Sequence, residues 1–342
     1  MAATIYDVAA KAGVSFQLAS AVLGRKKYAR ASEATRNRIF EAASQLDYRS
    51  NTAAAVLAGG RSGVIGVIVD SHAPESMYRL LAEIEQSADR AGYRILTAQA
   101  HDNPGKLLAA YRSLKQHSVD GIISFSHDYA QMNRHLDDEL KNDPKIVFVL
   151  NTPDVPCSSA DVDIIGGMKA AVDHLRTSGY RKTALVLKSG SRYEEQPQSC
   201  KLRLDGFRQA CPRGRVVGLD FTLFDAAVWK RKLRDLVRNV LIPGKFDSAI
   251  VENDMIAAVL MKEILAAGIR IPADFGLIGW DDLALCECLP VELTSVHYDT
   301  RKLGEAVLKI LLDKIDGKLE PVRIFVPLEL VPRESTDKKG RR

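Results

Sequence analysis

Cysteine and long apolar runs are both scarce in this 342-residue chain, and each scarcity excludes a class of protein. The five cysteines (Cys157, Cys200, Cys211, Cys286 and Cys288) are odd in number and follow no signal sequence, so they read as reduced structural thiols rather than a disulfide framework. Cys286-x-Cys288 has the wrong spacing for a zinc knuckle and no second Cys/His pair accompanies it, so no metal site is expected. No stretch approaches the roughly 18 apolar residues that a bilayer span needs. The opening Met1–Asp7 has neither a basic nor an apolar signal segment, which points to a cytoplasmic protein with no membrane partner. Catalytic signatures are also missing. No Gly-x-Gly-x-x-Gly or Walker loop follows the first apolar strand, no Gly-x-Ser-x-Gly elbow occurs, and the adjacent Asp281-Asp282 diverge instead of pairing. The expectation is therefore no enzyme and no cofactor.

What is present is a core-forming chain, 46% hydrophobic and 27% charged, long enough for two or three domains. Its net charge of +5 is unevenly placed. Residues 1–60 hold eight Lys/Arg against four Asp/Glu, the stretch 61–332 is close to neutral, and residues 333–342 hold five basic against two acidic residues. A basic head on a neutral body is the footprint of a nucleic-acid module joined to something else.

The head reads as three helices. Thr4 caps the first, with Asp7 completing a capping box, and Ile5, Val8, Ala9 and Ala12 follow at helical spacing until Gly13. Ser15 caps a second helix two residues later, with Leu18, Ala19, Val22 and Leu23 inward. Ser32 caps a third, with Ile39, Phe40, Ala43 and Leu46 inward and Arg36 and Arg38 available for phosphates. Two short helices joined by Gly13-Val14 make a helix-turn-helix, whose second helix enters the major groove by its leading end. That end is Phe16-Gln17-Leu18: Gln17 can pair with adenine, and Phe16 or Leu18 can touch a thymine methyl. The basic loop Arg25-Lys26-Lys27 adds to the case against a bare helical bundle. Asn51–Ala58 is a short alanine-rich helix sequence followed by Gly59-Gly60, a conditional helix between head and body or else a plain linker.

Thr4-Ile5-Tyr6-Asp7-Val8-Ala9, Ala12-Gly13-Val14-Ser15, the Ser32…Thr35-Arg36 helix start, Leu46-Asp47-Tyr48 and Asn51…Leu57-Ala58-Gly59 resemble the head and hinge of the lac repressor/gal repressor family. The resemblance implies a DNA-binding regulator, most readily a repressor, that acts as a homodimer on a near-palindromic double-stranded operator. It implies DNA contacts from Thr4, Tyr6, Ser15, Phe16, Gln17, Leu18, Ser20, Arg25, Asn51, Ala54 and Leu57. In the family, paired hinge helices enter the minor groove and the leucine matching Leu57 wedges into the central base step. The chain departs from the family's usual recognition helix at Leu18-Ala19-Ser20-Ala21, carries Ser50 where proline is usual, and has a loop at 24–31 about two residues longer.

From Val64 onward, apolar strand-like runs alternate with helical segments: 64–69, 93–97, 121–125, 146–150, 184–187, 216–219, 248–251 and 277–280, with helices near 80–91, 105–117, 129–141, 166–178 and 199–210 between them. Such alternation means parallel sheets covered on both faces, and about ten units exceed a single sheet. The fold class is α/β: an all-helical helix-turn-helix head on a two-subdomain α/β body. The resemblance implies a body like a periplasmic binding protein, with crossings near 161, 291 and 322. The expected divisions are 1–49 (head), 50–62 (hinge helix and linker), 63–332 (effector-binding and dimerisation body) and 333–342 (basic tail). Ligands in such sheets sit beyond the C-terminal strand ends. Asn151, Asn253 and Asp281 follow strands, Arg203 lies on a helix and Phe221 can offer a flat face. Each of Asn253 and Asp281 is equally readable as a helix cap. The resemblance implies that Asn151, Arg203, Phe221, Asn253 and Asp281 bind a small polar effector, a sugar or derivative, with a purine-like corepressor as the alternative. A solute-binding protein shares the body, but a DNA reader occupies the place of its signal peptide. Leu80, Leu81 and Ile84 are candidates for the dimer interface, and the end of the chain lacks a leucine heptad, so assembly is expected to stop at a dimer.

Overall fold

Polar caps set the boundaries of the first three helices. The Thr4 hydroxyl accepts from the Asp7 amide at 3.3 Å while the Asp7 carboxylate accepts from the Thr4 amide at 2.7 Å, a reciprocal box that opens α1 (Ile5–Ala12). Gly13, at φ +66°, ends that helix in a left-handed turn that glycine adopts without strain. Ser15 accepts from the Leu18 amide to open α2 (Phe16–Leu23), and Ser32 accepts from the Thr35 amide to open α3 (Glu33–Gln45). Val8, Ala9, Ala12, Ala19, Val22 and Ile39 close the small core, the alanines letting the helices cross closely. The computed structural model describes residues 3–24, 29–48, 60–70, 73–100, 103–125, 128, 136–152, 155–188, 193, 196–219 and 226–338. The chain divides into two compact units, Met1–Gly63 and Val64–Arg342. Arg25, Asn51, Ala54, Leu57 and Phe221 lie outside the described residues.

The second unit contains two six-stranded sheets. The first is ordered β11-β5-β4-β3-β1-β2, all parallel: β1 (Val64–Val69), β2 (Arg94–Gln99), β3 (Gly121–Ser124), β4 (Ile146–Val149), β5 (Ser158–Val162) and β11 (Arg323–Val326). The second is ordered β12-β10-β9-β8-β6-β7: β6 (Thr183–Lys188), β7 (Arg215–Leu219), β8 (Ser248–Val251), β9 (Gly276–Trp280), β10 (Thr294–His297) and an antiparallel β12 (Glu329–Val331). Helices α4 (Glu75–Arg90), α5 (Pro104–Gln116), α6 (Asp138–Lys141) and α11 (Thr300–Ile315) serve the first sheet. Helices α7 (Ile164–Thr177), α8 (Gln198–Ala210), α9 (Ala226–Leu236) and α10 (Asp254–Ala266) serve the second. The chain passes from the first sheet to the second between Val162 and Thr183, returns between His297 and Arg323, and passes again between Val326 and Glu329. Both sheets reverse strand order beside their first strand, at β1/β3 and β6/β8, so each has a switch point at its C-terminal strand ends.

Several expectations need correction. Residues 333–338 are not a solvated tail. Glu334–Thr336 form a 3₁₀ turn in which Ser335 and Thr336 are buried, Ser335 donating to the Leu277 carbonyl at 2.6 Å and accepting from the Thr294 amide at 2.8 Å. Leu80 and Ile84 lie fully inside the core between α4 and the first sheet, so neither is available as an interface. The strand β5 was not foreseen, because Ser158-Ser159-Ala160-Asp161-Val162 is too polar to read as a buried strand. It is buried because its polar groups pair locally: Asp161 accepts from the Ser159 hydroxyl at 2.8 Å and the Thr152 amide at 2.9 Å. Of the helix expected over 129–141, the described residues hold only α6, opened by Asp137. The expected helix near Leu80–Ala91 begins earlier, at Glu75, since Pro74 presets its entry without a side-chain cap.

The buried C-terminal turn makes a direct prediction. Ser335→Ala leaves the Leu277 carbonyl and the Thr294 amide without their shared partner, and we expect it to destabilise the body by about 1–3 kcal/mol. Urea titration of the intact chain reads this as a lower midpoint at unchanged slope.

Candidate nucleic-acid interface and ligand cleft

In the first unit two aromatic rings stand exposed at the starts of α1 and α2, and Phe40 on α3, expected inward, is also 45% exposed. Tyr6 is 63% exposed and Phe16 42% exposed, and their rings stack obliquely with centroids 5.1 Å apart. Gln17 and Ser20 are exposed, whereas Leu18 is half-buried against the helical core. Thr4 and Ser15 already serve as caps: the Thr4 hydroxyl donates to Asp7 at 2.7 Å, and Ser15 accepts from Leu18. These two residues fix where α1 and α2 begin, and so where Tyr6 and Phe16 stand. Arg36 is not free for phosphate. Its guanidinium donates to the carbonyls of Ala29 at 2.6 Å and Ala31 at 3.3 Å, holding the approach to α3, while Arg38 is exposed.

In the second unit the polar residues of the crevice stand at the C-terminal strand ends. Asn151 follows β4 with Leu150, both left-handed at φ +54° and +64°. Asp281 and Asp282 follow β9 at φ +100° and +50°. Among the described residues, four of the seven non-glycine positions with positive φ lie at these two strand ends. Asn253 follows β8 and its side-chain oxygen accepts from the Ile256 amide at 2.9 Å, so this residue is a helix cap first. Arg203 lies mid-helix on α8, its guanidinium 4.7 Å above the Trp280 ring. Its Nε is buried with no partner, as are the hydroxyls of Tyr298, Ser124 and Thr152. Burial of polar groups without partners is costly.

Electrostatics converge on the same place. Burial pushes the Asp281 carboxyl up to about 7, the charge of Asp254 adds to the rise, and Arg203 and the Ser76 hydroxyl work against it. Asp254 is raised to about 6 by burial, although it accepts from the Ser295 hydroxyl at 2.6 Å and the Leu283 amide at 2.8 Å. Gly279 makes that approach possible, since a Cβ there would lie 2.1 Å from the Asp254 carboxylate. The two sheet layers touch across the crevice: Arg79 on α4 donates to the Asp282 carbonyl at 3.0 Å, and the Ser199 amide on α8 donates to Asp128 at 3.1 Å.

The structure thus gathers Arg203, Asn253 and Asp281 around the second sheet and leaves Asn151 at the end of the first. Sequence reasoning missed Ser76, Arg79, Trp280 and Tyr298. Tyr298 follows β10 just as Asp281 follows β9, but Thr294–His297 is too short and polar to be recognised as a strand. Among the described residues, no group of three or more His, Cys, Asp or Glu is arranged to hold a metal, and no helix is long and apolar enough to cross a membrane.

A helix-turn-helix head joined to a two-sheet body defines a class of ligand-responsive DNA-binding regulators, and comparison with known proteins gives the same result. Residues 4–51 match the family described as bacterial regulatory proteins, lacI family, and residues 172–336 match a periplasmic binding protein-like domain. The chain is 29% identical to the HTH-type transcriptional regulator DegA of Bacillus subtilis, covering 98% of each protein. It is 27% identical to the lactose operon repressor of Escherichia coli, covering 97% of this chain and 90% of that one. A structure of the lac repressor dimer bound to operator and an anti-inducer superposes with a TM-score of 0.80 at 26% identity, covering 98% of this chain and 99% of that one. The head carries the lacI-family model, and over almost its whole length the chain is similar to transcription regulators of that family.

The raised Asp281 carboxyl predicts a pH dependence. Its ordinary value is 3.8 and its folded value about 7, so between these the folded chain holds more protons than the unfolded one. Rising pH then favours unfolding through this group, and the effect levels off above pH 7. Asp281→Asn stays neutral throughout, so the variant's stability should gain on that of the unsubstituted chain from pH 4 to pH 7. Paired urea titrations at pH 4.5, 6 and 7.5 measure this, and a difference that stays flat would count against a proton-holding Asp281.

Proposed function

We propose that this chain is a cytoplasmic transcriptional repressor that binds a near-palindromic operator as a homodimer. A small polar effector, a sugar or sugar derivative, then controls its affinity from the crevice of the body. In this reading Tyr6, Phe16, Gln17 and Ser20 face DNA with Leu18 half-buried behind them, Thr4 and Ser15 hold them in place, and Arg25, Asn51, Ala54 and Leu57 contribute from outside the described residues. Asn151, Arg203, Asn253 and Asp281 take the effector, with Phe221, also outside the described residues, supplying a flat face.

The observation that carries the effector reading is Arg203. It lies over Trp280 with an unpartnered Nε, near an Asp281 carboxyl that it stabilises. A fork of donors and a carboxylate over an aromatic face suit adjacent hydroxyls on a ring with an apolar side. The second reading, a purine-like corepressor, draws support from the 28% identity to the PurR repressor of Vibrio cholerae, which covers 97% of this chain and 98% of that one. A ligand moves the balance only through differential affinity, and a shift from 1:99 to 99:1 takes about 5.5 kcal/mol.

Titration of the full chain against duplexes from the flanks of its own gene tests the reading. Specific binding should follow two half-sites about one helical turn apart and fall by roughly 10³–10⁵ between 50 and 200 mM salt for six to ten phosphate contacts. A thermal-shift screen of sugars, sugar phosphates and nucleobases should find a ligand whose effect Arg203→Ala abolishes while operator affinity in its absence stays within about twofold. A hit that survives Arg203→Ala binds elsewhere, and a nucleobase hit selects the corepressor reading.

A further inference from the structure

Helix α2 carries no charged residue anywhere in Phe16–Leu23, and this limits the bases it can read. Ala19, Ala21 and Val22 are buried, and Leu18 and Leu23 are half-buried against the head's core. Only Phe16, Gln17 and Ser20 stand exposed. In the major groove guanine is read by a two-pronged or point cation, and cytosine by a carboxylate. The helix offers neither. It offers a primary amide, whose donor and acceptor match adenine N6 and N7, a phenyl ring that matches the thymine methyl, and a hydroxyl that suits either kind of edge.

The phenyl ring is also held in position. Phe16 packs on Tyr6 with centroids 5.1 Å apart and planes tilted by 36°. Tyr6 is itself placed by the Thr4–Asp7 box, and the Ser15 cap fixes the backbone just before Phe16. Ring and amide therefore sit side by side on the turn that this motif inserts into the groove.

We propose that α2 selects two adjacent A·T pairs in each half-site, Gln17 taking the adenine of one and Phe16 the thymine methyl of its neighbour. This deepens, and rests on, the operator-binding reading above. Cations outside the helix, such as the exposed Arg38, serve the phosphates, so affinity and base choice come from different residues.

Selection of bound duplexes from a randomised pool with the full chain, followed by anisotropy titrations, tests the proposal. The selected half-site should contain two neighbouring A·T pairs whose preference depends on α2. Uracil in place of thymine at the Phe16 step should weaken binding about fourfold, the worth of one buried methyl. Guanine in place of adenine at the Gln17 step should weaken it about tenfold or more. Phe16→Ala should bind the thymine and uracil duplexes equally, and Gln17→Ala the adenine and guanine duplexes equally. Both side chains are exposed, so circular dichroism should show an unchanged fold. A guanine at either position governed by these two residues, or a thymine/uracil ratio that survives Phe16→Ala, overturns the proposal while leaving operator binding intact. Absence of any sequence preference overturns the operator reading itself, and the proposal with it.

Discussion

Asp282 is the point at which the body's separate parts are tied together. Its carboxylate takes Arg333 at 2.8 Å and His297 at 3.2 Å, its amide donates to the Ser295 hydroxyl at 3.1 Å, and its carbonyl accepts from Arg79 at 3.0 Å. The Ser295 hydroxyl passes the contact on to Asp254, which also receives the Leu283 amide. Aspartate tolerates the left-handed backbone at φ +50°, and the bonds to Arg333, Ser295 and Arg79 hold it there. One consequence is that Asp281, one residue earlier at φ +100°, presents its carboxyl to the crevice. Another is that the C-terminal turn becomes part of the site: Arg333 also reaches the Leu293 carbonyl and Glu287, so the end of the chain braces the corner from behind. The Arg333–Asp282 pair is mostly shielded from solvent, so each partner depends on the other to offset its lost hydration.

The same economy operates in the head. Polar residues at the helix starts are used to define geometry, and the residues they position are left to face outward. Thr4 and Asp7 satisfy each other, Ser15 satisfies α2, and Arg36 is spent on the carbonyls of Ala29 and Ala31. At the start of α2 what remains exposed is Tyr6, Phe16, Gln17 and Ser20, the two rings covering each other only in part. Exposed rings are costly to keep in water, and a groove lined by thymine methyls is the kind of surface that repays them.

Much of this architecture was readable from pattern alone, and the failures share a cause. Strands such as Val64–Val69 and Ile146–Val149 are continuous apolar runs because both faces of a parallel sheet are covered, and the caps at Thr4, Ser15 and Ser32 follow from local chemistry. Strands β5 and β10 escaped because their burial depends on partners far along the chain: Ser158 with the amide of Val322, and Thr294 with Arg333, Ser335 and Thr336. The tail at 333–338 escaped for the same reason, its charge suggesting solvent while its hydrogen bonds reach back some forty residues. At the crevice, Asp281 and Asn253 were visible because strand ends are visible. Arg79 and Tyr298 were not, since nothing in a helix or an unrecognised strand announces what it will face across a gap. Capping and ligand contact also look identical in sequence, and only the bond from Ile256 to Asn253 separates them.

The contacts across the crevice bear on how a ligand could act. The bond from Arg79 to the Asp282 carbonyl joins a charged donor to a backbone acceptor, and that from the Ser199 amide to Asp128 is its mirror in charge. Hydrogen bonds to charged groups contribute about 1.5–3 kcal/mol each, so this pair is of the same order as the energy needed to reverse a two-state balance. A ligand that takes up Arg203 Nε and the Tyr298 hydroxyl supplies bonds of the same kind at the same crevice. The arrangement of the two layers is then decided by whether the ligand's bonds and those of Arg79 and Ser199 are satisfied together or in competition. Because Arg79 grips the residue next to Asp281, a ligand held by Asp281 acts directly on that contact.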